Sequence, residues 1–255
     1  MKYQVAVILF TIVTTGTLAK DVRIIGGEDG NVRTHPFLVS FKYLDDFKAI
    51  CGGSIISNKH ILTSAQCARN VNTDAQYIRV YSGIALLEGN AGNANEIDTV
   101  FIHPAFTAEH NRDEMYLHDI AVIKVKDVFE FNELQSAIEL LDRDVTDNDS
   151  GFIFGWGSMS HPTPTYPIQM QKAEVRIISL RLCMSLLAFH LYDCQICAYN
   201  QLGIGPCLGD SGGPLVIDGK IAGIISVSIP CAQGVPDIYV RTHYYIDFIR
   251  HMMIL

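Results

Sequence analysis

The 255-residue chain carries a formal charge of −8 at pH 7, with 49% hydrophobic residues and seven cysteines. The acidic balance argues against a nucleic-acid partner, which selects basic surfaces, while the length and apolar share suit one or two packed domains. An odd cysteine count leaves at least one thiol without an intrachain partner.

In chain order, Met1-Lys2 supplies charge, residues 5–13 are apolar and Thr17-Leu18-Ala19 offers small residues. This is the pattern of a signal peptide over residues 1–19, because the apolar run is too short to span a bilayer. Secretion to an oxidising compartment follows, with no membrane anchor. Residues 20–23 then read as a short propeptide and 24–255 as the folded domain. Arg23 precedes Ile24-Ile25-Gly26-Gly27, and residues 36–43 read as a strand. Two motifs come next, Cys51-Gly52-Gly53-Ser54-Ile55-Ile56 and Ile61-Leu62-Thr63-Ser64-Ala65-Gln66-Cys67. Residues 74–95 are polar and rich in Gly and Asn; Glu88, Glu96 and Asp98 read as solvated loop acids, not as the close-spaced oxygen set that calcium needs. No metal or cofactor is expected.

His118-Asp119-Ile120-Ala121-Val122-Ile123-Lys124-Val125 ends in a strand pattern, and the pattern weakens over residues 129–149. Asn148-Asp149-Ser150 is a glycosylation sequon. Phe152-Ile153-Phe154-Gly155-Trp156-Gly157 opens a second β-rich stretch, interrupted by a Pro-rich loop over 161–167 and by a strand followed by a short helix over 175–187. The run Gly209-Asp210-Ser211-Gly212-Gly213-Pro214 is a tight turn whose glycines admit a close ligand. In it the amides of Gly209 and Ser211 can aim at one spot and stabilise an oxyanion. A bare GxSG would read as a plain turn; the full run, with Cys207 before it and Leu215-Val216-Ile217 after it, is far more specific. Residues 244–252 carry apolar side chains at helical spacing.

Together these motifs resemble those of the chymotrypsin/trypsin family of secreted serine proteases, over nearly the whole chain. The resemblance implies an all-β fold of two antiparallel six-stranded barrels, a crossover near 130–150 and a C-terminal helix; the short β-rich runs and turns agree with it. It implies a cut after Arg23 that frees the amine of Ile24 to pair with Asp210, a buried acid needing such a partner. It implies disulfides Cys51–Cys67, Cys183–Cys197 and Cys207–Cys231, leaving Cys194 over, either as a buried free thiol, the duller reading, or paired with another molecule. Ser211 matches the nucleophile, Asp119 the triad acid, and Gly205, Ser226, Val227, Ser228, Asp237 and Tyr199 fall around the specificity pocket.

The pattern breaks at one catalytic position, where Gln66 stands in place of histidine. A serine hydroxyl is a poor nucleophile unless a base removes its proton. Imidazole does this near neutral pH; a carboxamide has no basic nitrogen. Gln66 can hydrogen-bond Ser211 but cannot shuttle a proton, and Asp119 is expected to bond Gln66, nearby amides or water. His60 lies six positions earlier, His118 should face away from its neighbour Asp119, and His35, His103, His110, His161 and His190 match no catalytic motif. The pocket departs too: Gly205 replaces the aspartate of tryptic relatives, and bulk at Tyr199, Ser228 or Asp237 is expected to narrow it. The expectation is a monomeric, inactive homologue that works by binding protein. It is most like the inactivated paralogues of mite group-3 allergen proteases, which implies a gut protein that blocks host defence proteins such as complement. The alternative is a weak or conditional peptidase of non-tryptic preference.

Overall fold

A computed structural model describes residues 24–46, 48–84, 86, 92–109, 111, 113–228 and 231–255. The expected signal peptide, the propeptide with Arg23, Glu88 and His110 lie outside the described residues. The first half holds β2 (Leu38–Tyr43), β3 (Cys51–Ile55), β4 (His60–Thr63), β5 (Ile78–Ser82), β6 (Asn93–Asn95), β7 (Ile97–Ile102) and β8 (Ala121–Val125), with α1 (Ala65–Thr73) after β4. The second holds β9 (Ser150–Gly155), β10 (Gln171–Ile178), β11 (Gln195–Tyr199), β12 (Pro214–Ile217), β13 (Lys220–Val227) and β14 (Asp237–Arg241). Helix α2 (Leu180–Leu187) precedes β11, and a 3-10 turn (Thr242–Tyr245) leads into α3 (Ile246–Met252). A short β1 (Glu28–Asp29) pairs outside β10.

Strand alternation decides what faces inward. In β10, Ala173, Val175 and Ile177 are buried while Glu174 and Arg176 are exposed, as a period of two requires. These side chains meet Ile153, Ile196, Leu215, Ile225 and Tyr239 in the second core. Val39, Phe41, Ile55, Ile61, Val80 and Ile123 form the first. Burying each such large side chain stabilises the fold by about 1.5–3 kcal/mol. A third cluster, with Leu62, Ile120, Val122, Phe154, Trp156 and Ile224, joins the halves and receives Tyr245 and Ile249.

The fold is all-β with two barrels and a short C-terminal helix, as expected, one barrel closed and the other a half-barrel. The second half closes: β10-β11-β14-β13-β12-β9 returns to its start through a β9–β10 ladder. The first is a half-barrel in the order β6-β5-β2-β3-β4-β8-β7. Its last run turns a corner at Glu96, so that β6 pairs with β5 and β7 with β8. Charge fixes that corner. Glu96 pairs with Arg79 at 3.2 Å and Lys126 at 2.5 Å, and the Lys126 bond holds its carboxyl below the usual range. Glu96 is therefore a structural acid, not a merely solvated one.

Disulfides join Cys51 to Cys67, Cys183 to Cys197 and Cys207 to Cys231. Cys194 is free and buried. Asn148 lies exposed in the turn closed by Asp149 N–H donating to Thr146 O at 3.0 Å.

Candidate functional site

Helix α1 begins at the cleft between the halves, and Asp119 caps it. Ser64 is the N-cap and accepts from Cys67 N–H. The next amides of a helix start lack intrahelical partners. Gln66 N–H donates to Asp119 Oδ1 at 2.8 Å, and the Ala65 amide also donates to this carboxyl. The Gln66 side chain folds back onto the same acid, Nε2 donating to Oδ2 at 2.8 Å and to Ser226 O at 2.6 Å. Both neighbours are acceptors, so the amide nitrogen must point at them and both its hydrogens are spent. Ser226 Oγ donates to Asp119 Oδ2 at 2.6 Å. Burial pushes the Asp119 carboxyl up to about 6, against the pull of these donors. The side chain of Gln66 thus bonds the acid and the wall, and no hydrogen bond joins it to Ser211 among the described residues.

Ser211 stands on a turn that only glycine could build. Gly212 has φ +82°, and a Cβ there would strike Thr63 Oγ1 and lie 2.5 Å from Gly52 O. Gly209 has φ +97°, with Ala49 O 2.6 Å from its would-be Cβ. The Ser211 carbonyl accepts from Gly52 N–H at 2.8 Å and rests 3.3 Å from Cys67 Sγ, tying the turn to the first disulfide. Within the turn, the amides of Asp210, Gly212 and Gly213 donate to Cys207, Ile225 and Asp210 carbonyls. Those of Gly209 and Ser211 donate to nothing among the described residues. They are the two amides that the sequence leads one to expect at a developing oxyanion.

Asp210 is fully buried beneath the turn. It accepts from Gly157 N–H at 2.8 Å and Cys207 N–H at 3.0 Å. Gly155 and Gly157 make the room, since a Cβ on either would collide with the carboxyl. Ile24 is buried in the neighbouring second core, but in the uncut chain its nitrogen is an uncharged amide. No cationic group among the described residues bonds to Asp210, and burial pushes its pKa up to about 7. A carboxyl whose folded pKa exceeds its unfolded value holds its proton in the fold, so stability falls as pH rises through that window. The uncut chain is expected to be about 3 kcal/mol more stable at roughly pH 5 than at roughly pH 8 through this group. Urea unfolding at the two pH values checks this; Asp210→Asn should flatten the difference, and a slope unchanged by that substitution would refute it.

The expected pocket residues do not all converge. Gly205 is buried, and Asp237 Oδ2 lies 3.2 Å from the place of its absent Cβ, with Ala232 at 3.4 Å. Ser226 is buried; Val227 and Ser228 are half-buried. Tyr199 is a correction. It is 37% exposed and lines an outer groove with Glu174, Arg176 and Gln201, so it cannot narrow the pocket. Odd-numbered residues of β11 face away from the barrel core, where α2 covers Cys197 through its disulfide and leaves Tyr199 open.

None of the described histidines bonds Ser211. His60 bonds Ser57, His35 bonds Asn31 and Thr34, and His118 bonds Tyr245. His103 stacks on His118, and His190 stands edge-on to Tyr192. Sequence reasoning missed two features of the site: the glycines that make room for Asp210, and the Ser226 hydroxyl on Asp119. The first had a signal in the Gly-Trp-Gly motif; the second had none, being 107 residues away.

A family model described as Trypsin matches residues 24–249. The chain is 32% identical to hypodermin-A of Hypoderma lineatum over 242 residues, 93% of this chain and 90% of that protein. It is 34% identical to a trypsin of Simulium vittatum, covering 85% and 87%, and 31% identical to chymotrypsin-2 of Vespa crabro, covering 89% and 98%. A solved structure of neuropsin, a serine protease expressed in the limbic system of mouse brain, matches with a TM-score of 0.79 at 26% identity. That match spans 89% of this chain and 98% of the other.

Proposed function

Because this chain belongs to the trypsin family of serine proteases, we propose that it is a member which has lost peptidase activity and acts outside the cell by binding protein. The observation that carries this is the state of Gln66. Both its N–H groups are committed to Asp119 and Ser226, and its oxygen is not basic enough to take the Ser211 proton. None of the described histidines bonds Ser211. A nucleophile without a base leaves a scaffold that recognises but does not cut. Among the described residues no helix is long and apolar enough to cross a membrane, and three disulfides suit an oxidising destination.

The partner class we propose is host defence protein, complement in particular, on the resemblance to inactivated mite group-3 paralogues. The test is inhibition of complement-mediated lysis by the purified protein, beside Ser211→Ala and an unfolded control. Equal inhibition by native protein and Ser211→Ala, with a serum component retained on the immobilised chain, is expected. Loss of the effect in Ser211→Ala, or no inhibition at all, defeats the binding reading. One observation favours the alternative of a weak endopeptidase: the amides of Gly209 and Ser211 remain unspent, so transition-state stabilisation survives loss of the base.

A further inference from the structure

The C-terminal segment docks on the first half through two imidazoles and, at its last residue, through Lys124 Nζ donating to Leu255 O at 2.7 Å. His103 follows β7 and His118 precedes Asp119; their rings lie 4.9 Å apart and nearly parallel, at 12°. Tyr245 and Phe248 stand edge-on to His103 at 5.3 and 4.8 Å. Tyr245 Oη lies 2.8 Å from His118 Nδ1, and Tyr245 shares a core cluster with Cys194, just ahead of β11. His118 has φ +56°, a left-handed conformation that Asn, Asp and His enter more readily than other side-chain-bearing residues.

Hydrogen bonding sets the protonation state of this cluster. Ala105 N–H donates to His103 Nδ1 at 3.2 Å, so that nitrogen carries its lone pair. A proton there would break the bond and oppose one N–H to another. A second proton on His118 Nδ1 would turn the Tyr245 hydroxyl hydrogen away from it, and on either nitrogen the added charge would face the stacked His103 ring. Two like charges so placed repel. No carboxylate bonds either ring among the described residues. Asp119 is committed to Gln66 and Ser226, Tyr244 packs on Tyr245, and Asp247, Arg250 and His251 are exposed.

We propose that the His103–His118 stack is an acid-sensitive latch, which clamps the C-terminal helix onto the first half when neutral and releases it on taking up protons. Burial lowers the pKa of both rings from the ordinary 6.5, and His118 lowers that of His103 further. A histidine with a depressed folded pKa contributes stability above its ordinary value and loses it as pH falls. That sign opposes the one worked out for Asp210, so a local measurement is needed. Release would uncover Phe248 and Met252, half-buried on the core between the halves.

Hydrogen exchange of the full chain at about pH 7.5 and about pH 5, corrected for intrinsic rates, reads the latch in residues 242–255. Protection there is expected to fall at least roughly tenfold at the lower pH, while β10 and β11 keep theirs. His118→Asn, which accepts the same backbone conformation and offers Tyr245 an acceptor, should remove the drop. Unchanged protection in the parent chain, or an equal drop in His118→Asn, overturns the proposal. Should that variant fold poorly, NMR titration of the parent imidazoles decides. Joint protonation with helix release supports the latch, and independent titration at the ordinary histidine value overturns it.

Discussion

Protein cut after Arg23 is expected to turn over casein roughly a million-fold more slowly than an active relative, and Gln66→His to restore the base without restoring peptide cleavage. An imidazole at position 66 would inherit the bond that Gln66 Nε2 now makes to Asp119 Oδ2. Ser226 Oγ already buttresses that acid. A fluorophosphonate needs the base and the unspent amides of Gly209 and Ser211 but no deep side-chain slot. Labelling of Ser211 in Gln66→His should therefore rise by about a hundred- to ten-thousand-fold. A peptide also needs the slot, and there Asp237 Oδ2 lies 3.2 Å from the place a Cβ of Gly205 would take. Cleavage of small peptide amides is expected only when Asp237→Gly is added. Prompt cleavage by the single variant would remove the pocket from the account; casein hydrolysis by the parent chain would remove the inactive reading altogether.

The slot also marks where sequence reading stops. The resemblance of the motifs to the family's was enough to put Gln66 against Asp119, to set Ser211 beside Cys67 and to pair all three disulfides. Tyr199 was misread because alternation assigns it a face of β11, while only the path of α2 decides whether that face is covered. Glu96 was misread because a corner between two strands has no local signature; its partners Arg79 and Lys126 are 17 and 30 residues away. The His118–Tyr245 bond spans 127 residues. What a residue does locally was legible, and what folds over it was not.

Asp119 shows the same difference in its energetics. Without a histidine to orient, the acid could be a relic, yet Ala65 N–H, Gln66 N–H, Gln66 Nε2 and Ser226 Oγ all converge on it. Removing it takes the acceptor from Ala65 N–H, Gln66 N–H and Ser226 Oγ and leaves Gln66 Nε2 only its bond to Ser226 O, each unsatisfied buried donor costing about 1–3 kcal/mol before relaxation. Asp119→Ala is therefore expected to lower the unfolding free energy by about 3–5 kcal/mol. Gln66→Ala leaves one buried carboxyl still bonded to three donors and should cost about 1–2 kcal/mol. The pH dependence gives a second handle. Burial raises this carboxyl to about 6, so its native form gains stability on acidification from neutrality. The Asp119→Ala penalty should be roughly 1 kcal/mol larger near pH 5 than near pH 8. Urea unfolding of the two variants at both pH values measures these differences. A penalty for Asp119→Ala no greater than that for Gln66→Ala would mean that the acid holds nothing in place.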